Sequence, residues 1–362
     1  MSSWGNSIKI SVFGESHGKG IGVVIDGLPA GKRLDMDRIY IQMSRRAPGR
    51  DKTATPRLEK DIPEIMSGVL NDTTTGAPLC ALIRNTNTRS GDYGNILSRP
   101  RPGHADYTGF VRYGGFNDIS GGGHFSGRLT APIVFAGAVC RQILEDRGVD
   151  IAAHISSVGT IKDEGFDPVS IPAELMKRLS TETFSLIDHS KEEEMRALIE
   201  ECRLSLDSIG GTVECAVTGL PAGLGSPMFD GAENIISSIV FGIPAVKGIE
   251  FGAGFRAAEM RGSENNDEFF YDGGNVRTHT NNHGGILGGI TSGMPLIFRA
   301  AIKPTPSIAR TQKTVDLTEG TDSELEIKGR HDPCIVPRAV PVIEAAAAIA
   351  VTELFCSGGY GS

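Results

Sequence analysis

The chain has 362 residues, a net charge of −8 and 39% apolar residues. That length buries a large core without a metal or disulfide staple, and the acidic balance argues against general nucleic-acid affinity, which needs a basic face to neutralise phosphates. The six cysteines, Cys80, Cys140, Cys202, Cys215, Cys334 and Cys356, form no C-x-x-C pair, so a disulfide framework is not expected and free thiols in a reducing cytoplasm are.

The amino-terminal stretch MSSWGNSIKISVFGESHG has no basic region followed by an apolar core, so no secretory leader is expected. Residues 8–14 (IKISVFG) and 22–27 (GVVIDG) read as strands. Between them, FGESHG sets Ser16 and His17 among glycines at a strand end. A loop histidine can transfer protons near neutral pH, and the adjacent serine can relay or orient. Gly14, Glu15, Ser16, His17 and Gly18 also fit the G-x-S-x-G nucleophile elbow, which keeps a serine hydrolase built on Ser16 as the alternative.

Residues 45–57, RRAPGRDKTATPR, gather Arg45, Arg46, Arg50, Lys52 and Arg57 against Asp51, and RPRPGH adds Arg99, Arg101 and His104. Concentrated positive loops on an acidic protein suit a small polyanion, with a solvated surface loop as the plain alternative. In GGGHFSGR, residues 121–128, Gly122 and Gly127 have P-loop spacing, but Arg128 and Leu129 replace the required lysine and hydroxyl residue. A dinucleotide fingerprint fails at Ser126, where the third glycine is missing. What survives is a loop feeding a helix that runs from Thr130, with Pro132 in its first turn, toward Gly148, a place where amide hydrogens and the dipole favour an anion.

Farther along, SKEEEMRALIEECRLSLDSIGG reads as a helix capped by Ser190 with Glu193 and stopped by Gly210. Residues 211–219 and 294–302 read as strands. His104 with Asp106, and His279 with His283, invite a metal reading. HTNNH, however, lacks the glutamate of a zinc helix and sits in poor helix-forming surroundings, so no metal site is expected. KPTPSIAR presents Lys303, Thr305 and Ser307 on a proline-restricted loop, a phosphate or carbonyl clamp in outline. GRHDPCIVPRAVP brings Arg330, His331, Asp332 and Arg338 together before an alanine-rich helix opened by Pro341. The apolar run in that helix is interrupted by Glu344 and Glu353, so no membrane span is expected.

Two echoes recur in the same order. DGLPAG (26–31) returns as TGLPAG (218–223), and SGRLTAPIVFAGAV (126–139) is echoed by VPRAVPVIEAAAAI (336–349). They predict one domain over 1–362 containing two pseudo-repeats, about 8–148 and 150–355. Strands grouped with helices, without a steady β-α-β rhythm, predict an α+β fold.

Taken together, FGESHG, RPGHADYTG, GGGHFSGR, GGILGGITSG, KPTPSI and GRHDPCIVPRAVPVIEA closely resemble the chorismate synthase family, in order and over nearly the whole chain. The resemblance implies an anti 1,4-elimination of phosphate from 5-enolpyruvylshikimate 3-phosphate to give chorismate, the last step of the shikimate pathway, with reduced FMN and no net redox change. It also implies helices sandwiched between antiparallel sheets in a β-α-β arrangement and a homotetramer. Reduced flavin would come from NADPH acting on this chain or from a separate flavin reductase.

By the same resemblance, Arg45, Arg101, Arg128 and Arg330 bind substrate, and Arg46 and Lys52 contact nicotinamide or substrate. His17 protonates the departing phosphate, His104 protonates reduced flavin, and Asp332 helps the flavin N5 accept the substrate proton, with Ser16 and Ser126 as relays. Flavin contacts carry over to His124, Phe125, Ser126, Ala245, Gly288, Lys303, Pro304, Thr305, Pro306, Ser307 and Arg330. This chain departs from many members at His124 and Phe125, where they carry arginine and serine, at Gly127, where they carry alanine, and at Pro244 and Ala245, where they carry an Asn-Ala pair. Loss of His124 is expected to weaken flavin binding more than proton transfer.

Overall fold

Two five-stranded antiparallel sheets flank a set of core helices in the computed structural model, which describes residues 2–49, 61–86, 98–327 and 332–357. Lys52 and Arg330 lie outside the described residues. The first sheet runs, in spatial order, Ser3–Trp4, Lys9–Gly14, Gly20–Asp26, Leu79–Arg84 and Pro63–Ser67. The second runs Val246–Phe251, Leu296–Ile302, Gly211–Thr218, Asp150–Val158 and Ile161–Lys162. The α+β reading with antiparallel sheets holds, and the strands expected near 8–14, 22–27, 211–219 and 294–302 all form.

The alternation of Gly20–Asp26 explains how the first sheet meets the helices. Ile21, Val23 and Ile25 are fully buried on one face, as period-two patterning requires. That sheet packs on the helix Thr130–Glu145, and the second sheet on the helix Val336–Ser357. The two helices also pack on each other, closely enough that a Cβ on Gly137 would lie 2.3 Å from Ala345. Only glycine fits at that crossing, and the alanine-rich run opposite it is the matching small surface. A third helix, Met36–Arg46, capped by Asp35, packs against both.

Four strands keep the same lateral order in both sheets. Lys9–Gly14, Gly20–Asp26, Leu79–Arg84 and Pro63–Ser67 correspond to Asp150–Val158, Gly211–Thr218, Leu296–Ile302 and Val246–Phe251. DGLPAG follows the second strand of the first set as TGLPAG follows the second strand of the other, and each set is succeeded by its long core helix.

The structure corrects several expectations about element ends. The carboxy-terminal helix begins at Val336 and carries Pro341 inside it; Pro337 occupies the first turn, where a missing N–H costs nothing. Its 22 residues are long and apolar enough to cross a membrane, but 94% of the apolar window is buried inside the protein. Glu344 and Glu353 are buried acids with partners on neighbouring elements: Glu353 accepts from the backbone of Ser7 and Ile8, and Glu344 pairs with Arg45 and accepts from Ala153 N–H. The helix expected from Ser190 is Glu192–Leu204, preceded by a turn that Asp188 caps by accepting from Ser190 N–H. It stops short of Gly210 because Leu206 turns left-handed, with φ 59°.

The nucleophile-elbow reading fails on context. Lys9–Gly14 turns into an antiparallel strand where the elbow needs a helix. His279 and His283 lie on a loop; His279 stacks on Phe270 with ring centroids 4.3 Å apart, while His283 sits beside Asp267.

Candidate active site

A cavity of about 1130 Å³ opens between the end of the first sheet, the glycine-rich loop and the start of the carboxy-terminal helix. It exceeds the roughly 300–1,000 Å³ typical of one small ligand, so there is room for two molecules together. Three chain turns bring proton-transfer groups to its wall. The turn after Lys9–Gly14 brings Ser16 and His17, the segment before the helix Asp106–Tyr113 brings His104, and the stretch before Val336 brings Asp332.

The glycine-rich loop decides how the two histidines sit. Gly121, Gly122 and Gly123 have φ of 61°, 85° and 51°, left-handed values that side chains rarely tolerate. A Cβ on Gly121 would lie 2.0 Å from Nδ1 of His17, and one on Gly122 would lie 3.2 Å from Nε2 of His104. Gly123 accepts from Ser16 N–H through its carbonyl. The loop thus threads between the two imidazoles, and the glycines allow a backbone approach no other residue permits.

Each arginine on the wall has a carboxylate beside it. Asp106 accepts from Arg101 Nε at 2.7 Å and from a terminal Arg101 nitrogen at 2.8 Å, while its Oδ1 meets His104 Nδ1 at 2.5 Å. Burial alone would raise the Asp106 carboxyl, but the bonds from Arg101 and His104 outweigh it and hold the group well below the usual carboxylate range. That contact fixes the ring, whose Nε2 lies beside the loop and 3.3 Å from a terminal nitrogen of Arg101. Asp61 bridges Arg46 at 2.5 Å and Arg128 at 2.6 Å. Asp332 accepts from Arg338, whose Nε donates to the carbonyl of Arg46. Asn85 accepts from Arg128 and donates to the carbonyls of Glu15 and Gly18, tying the arginine to the turn that carries His17.

The remaining expected residues divide. Ser126, His124, Phe125, Ala245, Lys303, Thr305, Pro306 and Ser307 line the cavity, as do Arg46, Arg101 and Arg128. Ser126 also accepts from Arg128 N–H and caps the turn ahead of Thr130. Arg45 points the other way: its guanidinium is buried against Glu344, Gln42 and the carbonyls of Leu179 and Glu182, so it serves the core while its neighbour Arg46 faces the cavity. Gly288, exposed in a hairpin, and Pro304 are not on the cavity wall.

His124 lines the cavity, yet both its ring nitrogens are engaged. Nδ1 lies 2.8 Å from the carbonyl of Gly14 and Nε2 lies 2.6 Å from Ser2 Oγ. The ring therefore ties the amino-terminal strand to the loop.

The cavity is also lined by apolar side chains of Trp4, Ile10, Val12, Ile239 and Phe241. Thr305 Oγ1 is buried with no hydrogen-bond partner among the described residues, an acceptor and donor waiting for a ligand. Lys303 reaches the carbonyl of Gly103, and burial, with Lys247 nearby, pushes its ammonium below its ordinary value. An apolar wall, an orphaned hydroxyl and a cation at one end suit a flat aromatic phosphate such as FMN.

A family profile described as chorismate synthase matches residues 8–356. The chain belongs to the chorismate synthase family. The chorismate synthase of Dehalococcoides mccartyi is 47% identical over 357 residues, covering 99% of this chain and 97% of the relative. That of Methanocella arvoryzae is 46% identical over 357 residues, covering 99% and 95%. A crystal structure of chorismate synthase superposes with a TM-score of 0.77 at 28% identity, covering 98% of this chain and 93% of that one. Members convert 5-enolpyruvylshikimate 3-phosphate to chorismate with reduced FMN, and the serine-hydrolase alternative falls away.

Asp61 and Asn85 were not among the residues singled out from the sequence for the site, and Arg338 was grouped with Asp332 there without a role of its own. Asp61 meets its arginines 15 and 67 positions away, a pairing no local pattern announces. Asp106 was visible two residues after His104, but as a metal ligand and not as the partner that orients the ring.

Proposed function

We propose that the cavity is where this chain converts 5-enolpyruvylshikimate 3-phosphate to chorismate, with FMN against the apolar wall and substrate among the arginines. The observation that carries this reading is the joint placement of His17, His104 and three carboxylate-backed arginine sites around one space large enough for both molecules. When bound, reduced FMN supplies an electron-rich ring that stabilises electron deficiency in the substrate as phosphate leaves.

The chain's own groups do the rest. Arg46, Arg101 and Arg128 hold the substrate's carboxylates and phosphate bidentately and stabilise charge growing on the departing group. His17 gives a proton to the leaving phosphate, and Ser16, which is nearly fully buried at its side, orients it. His104, held at the cavity wall by Asp106, would supply the proton to the reduced flavin. Asp332, held by Arg338, lies on the cavity wall for the substrate proton, and Ser126 relays. Lys303, Thr305, Pro306, Ser307, Ala245 and Phe125 receive the flavin.

The repeated strand order supports reading the halves about 8–148 and 150–355 as an internal duplication within one domain. A homotetramer accords with large apolar side chains left exposed, among them Phe229, Phe255 and Tyr271. Six cysteines without disulfides accord with a cytoplasmic location.

Anaerobic mixing with substrate and chemically reduced FMN is expected to give chorismate, read by absorbance. Bound flavin without product would overturn the reading. Repeating the assay with oxidised FMN and NADPH separates a chain that reduces its own flavin from one that depends on a separate reductase.

A further inference from the structure

The carboxylate of Asp61, near the cavity, is shared between two cations from different elements. Its side chain is fully buried and lies behind the cavity wall, while Arg46, at the end of the helix Met36–Arg46, and Arg128, in the loop before Thr130, both reach the wall in front of it. Oδ2 takes Arg46 at 2.5 Å and Oδ1 takes Arg128 at 2.6 Å. Two guanidinium groups held this close repel one another, and no water reaches the carboxylate side to screen them.

We infer that Asp61 is a positioning residue: its two oxygens set the separation of Arg46 and Arg128, turning two independent cations into one preformed clamp for the substrate's anionic group. This rests on the reading that these arginines hold substrate. Three observations support it. Side contacts complete the aim, since Arg46 Nε donates to Thr130 Oγ1 and Arg128 Nε donates to Asn85. Burial alone would raise the Asp61 carboxyl, but Arg46 and then Arg128 outweigh it and keep the group below its ordinary value, so it stays an anion. The backbone at Asp61 also takes a left-handed φ of 45°, a conformation that persists where the surroundings fix it.

The arrangement lowers the ordering cost of binding. A substrate phosphate or carboxylate meets donors already in register, and does not have to draw two repelling side chains together. Removing the shared charge should therefore appear in substrate binding before it appears in chemistry.

The test uses the full chain with reduced FMN. Asp61→Asn is expected to raise the substrate KM about tenfold or more, the loss of a charged hydrogen-bond pair, with kcat changed less than about threefold and FMN affinity unaltered. Asp61→Glu keeps the anion but displaces it, and is expected to raise KM less than Asn does. A merely structural acid would lower the amount of folded enzyme and leave KM in place. Arg128→Lys reports on the underlying reading and is expected to raise KM as well. If it does not, the arginines do not hold substrate and both readings fall. If it does while neither Asp61 variant moves KM, the inference about Asp61 alone falls. Should the Asn variant not fold, the Glu variant decides: a raised KM at near wild-type kcat upholds the inference, and a wild-type KM overturns it.

Discussion

Among the histidines that sit beside carboxylates, two, one in each half, have surroundings that assign them opposite duties. His104, in the first half, meets Asp106 through Nδ1, and its Nε2 lies beside the glycine loop at the cavity wall, 3.3 Å from a terminal nitrogen of Arg101. His154, in the second half, is fully buried and has both nitrogens engaged, Nδ1 by Asp163 at 2.9 Å and Nε2 by Glu214 at 3.1 Å. Glu214 in turn holds Arg299, and Arg299 holds Glu250, so alternating charges cross four strands of the second sheet in register. Asp163 also accepts from the backbone of Ile187 and Asp188, which fastens the covering segment down. A charged cluster sealed in the core is a fastening; one that borders a cavity can do chemistry.

The largest expected effect breaks or upholds the first half's side of this contrast. His17→Ala and His104→Ala are each expected to lower kcat by roughly 10² to 10⁴, the usual share of a positioned acid or base, with melting temperature near wild type. The readout is chorismate formation under anaerobic conditions with chemically reduced FMN. Full turnover by His17→Ala would remove its role as the acid that releases phosphate.

The second half should answer with stability and not with rate. His154→Gln leaves two buried carboxylates facing a neutral amide and is expected to cost about 3–5 kcal/mol of unfolding free energy, while kcat per folded molecule stays put. Burial alone would lower the His154 pKa, but Asp163 and Glu214 outweigh it and raise it above its ordinary value of 6.5. Its contribution is therefore fully present below pH 6.5 and lost as pH rises through the folded value. Asp163 and Glu214 are lowered, so theirs is present above their ordinary values and lost as pH falls through the folded ones. Denaturant unfolding of both proteins across pH 5 to 9 should show the gap narrowing at the alkaline end, and a constant gap would contradict a charged His154.

What the sequence disclosed follows the same division. Motifs announce groups whose chemistry is local: His17 between glycines, His104 two residues from its partner, Arg128 ahead of a helix. The strands near 8–14 and 211–219 announce themselves by alternating or β-branched residues, although the second is buried on both faces from Val213 to Val217. Adjacent Arg45 and Arg46 could not be told apart, since their different duties depend on Glu344 and Asp61, which lie far off along the chain for Arg45 and fifteen residues on for Arg46. The ladder through His154 was equally silent, because cross-strand register, not local order, brings its members together.

A smaller effect tests whether Asp106 acts on His104 as a partner and not as a fastening. Asp106→Asn keeps the size of the side chain and removes the charge. It is expected to lower kcat about tenfold, part of the loss seen on removing the imidazole, and to shift the pH profile of kcat, because the ring's orientation is no longer held. A variant that melts earlier but keeps the wild-type profile would place Asp106 with Asp163 among the fastenings.

The smallest effect lies at the border between the two kinds of cluster. His124 lines the cavity like His104, but both its nitrogens are engaged like those of His154, by Gly14 and Ser2. Its ring can meet flavin by packing and by holding the amino-terminal strand, whose Trp4 belongs to the apolar wall and donates to Ser238. His124→Ala is therefore expected to weaken FMN binding about fivefold, the worth of roughly one hydrogen bond, with kcat at saturating flavin unchanged. A fluorescence titration measures the first and the anaerobic assay the second. Deleting the Ser2 hydroxyl by Ser2→Ala should reproduce part of the same shift, because the histidine acts through the strand it holds; an unchanged FMN affinity in both variants would put His124 with the fastenings alone.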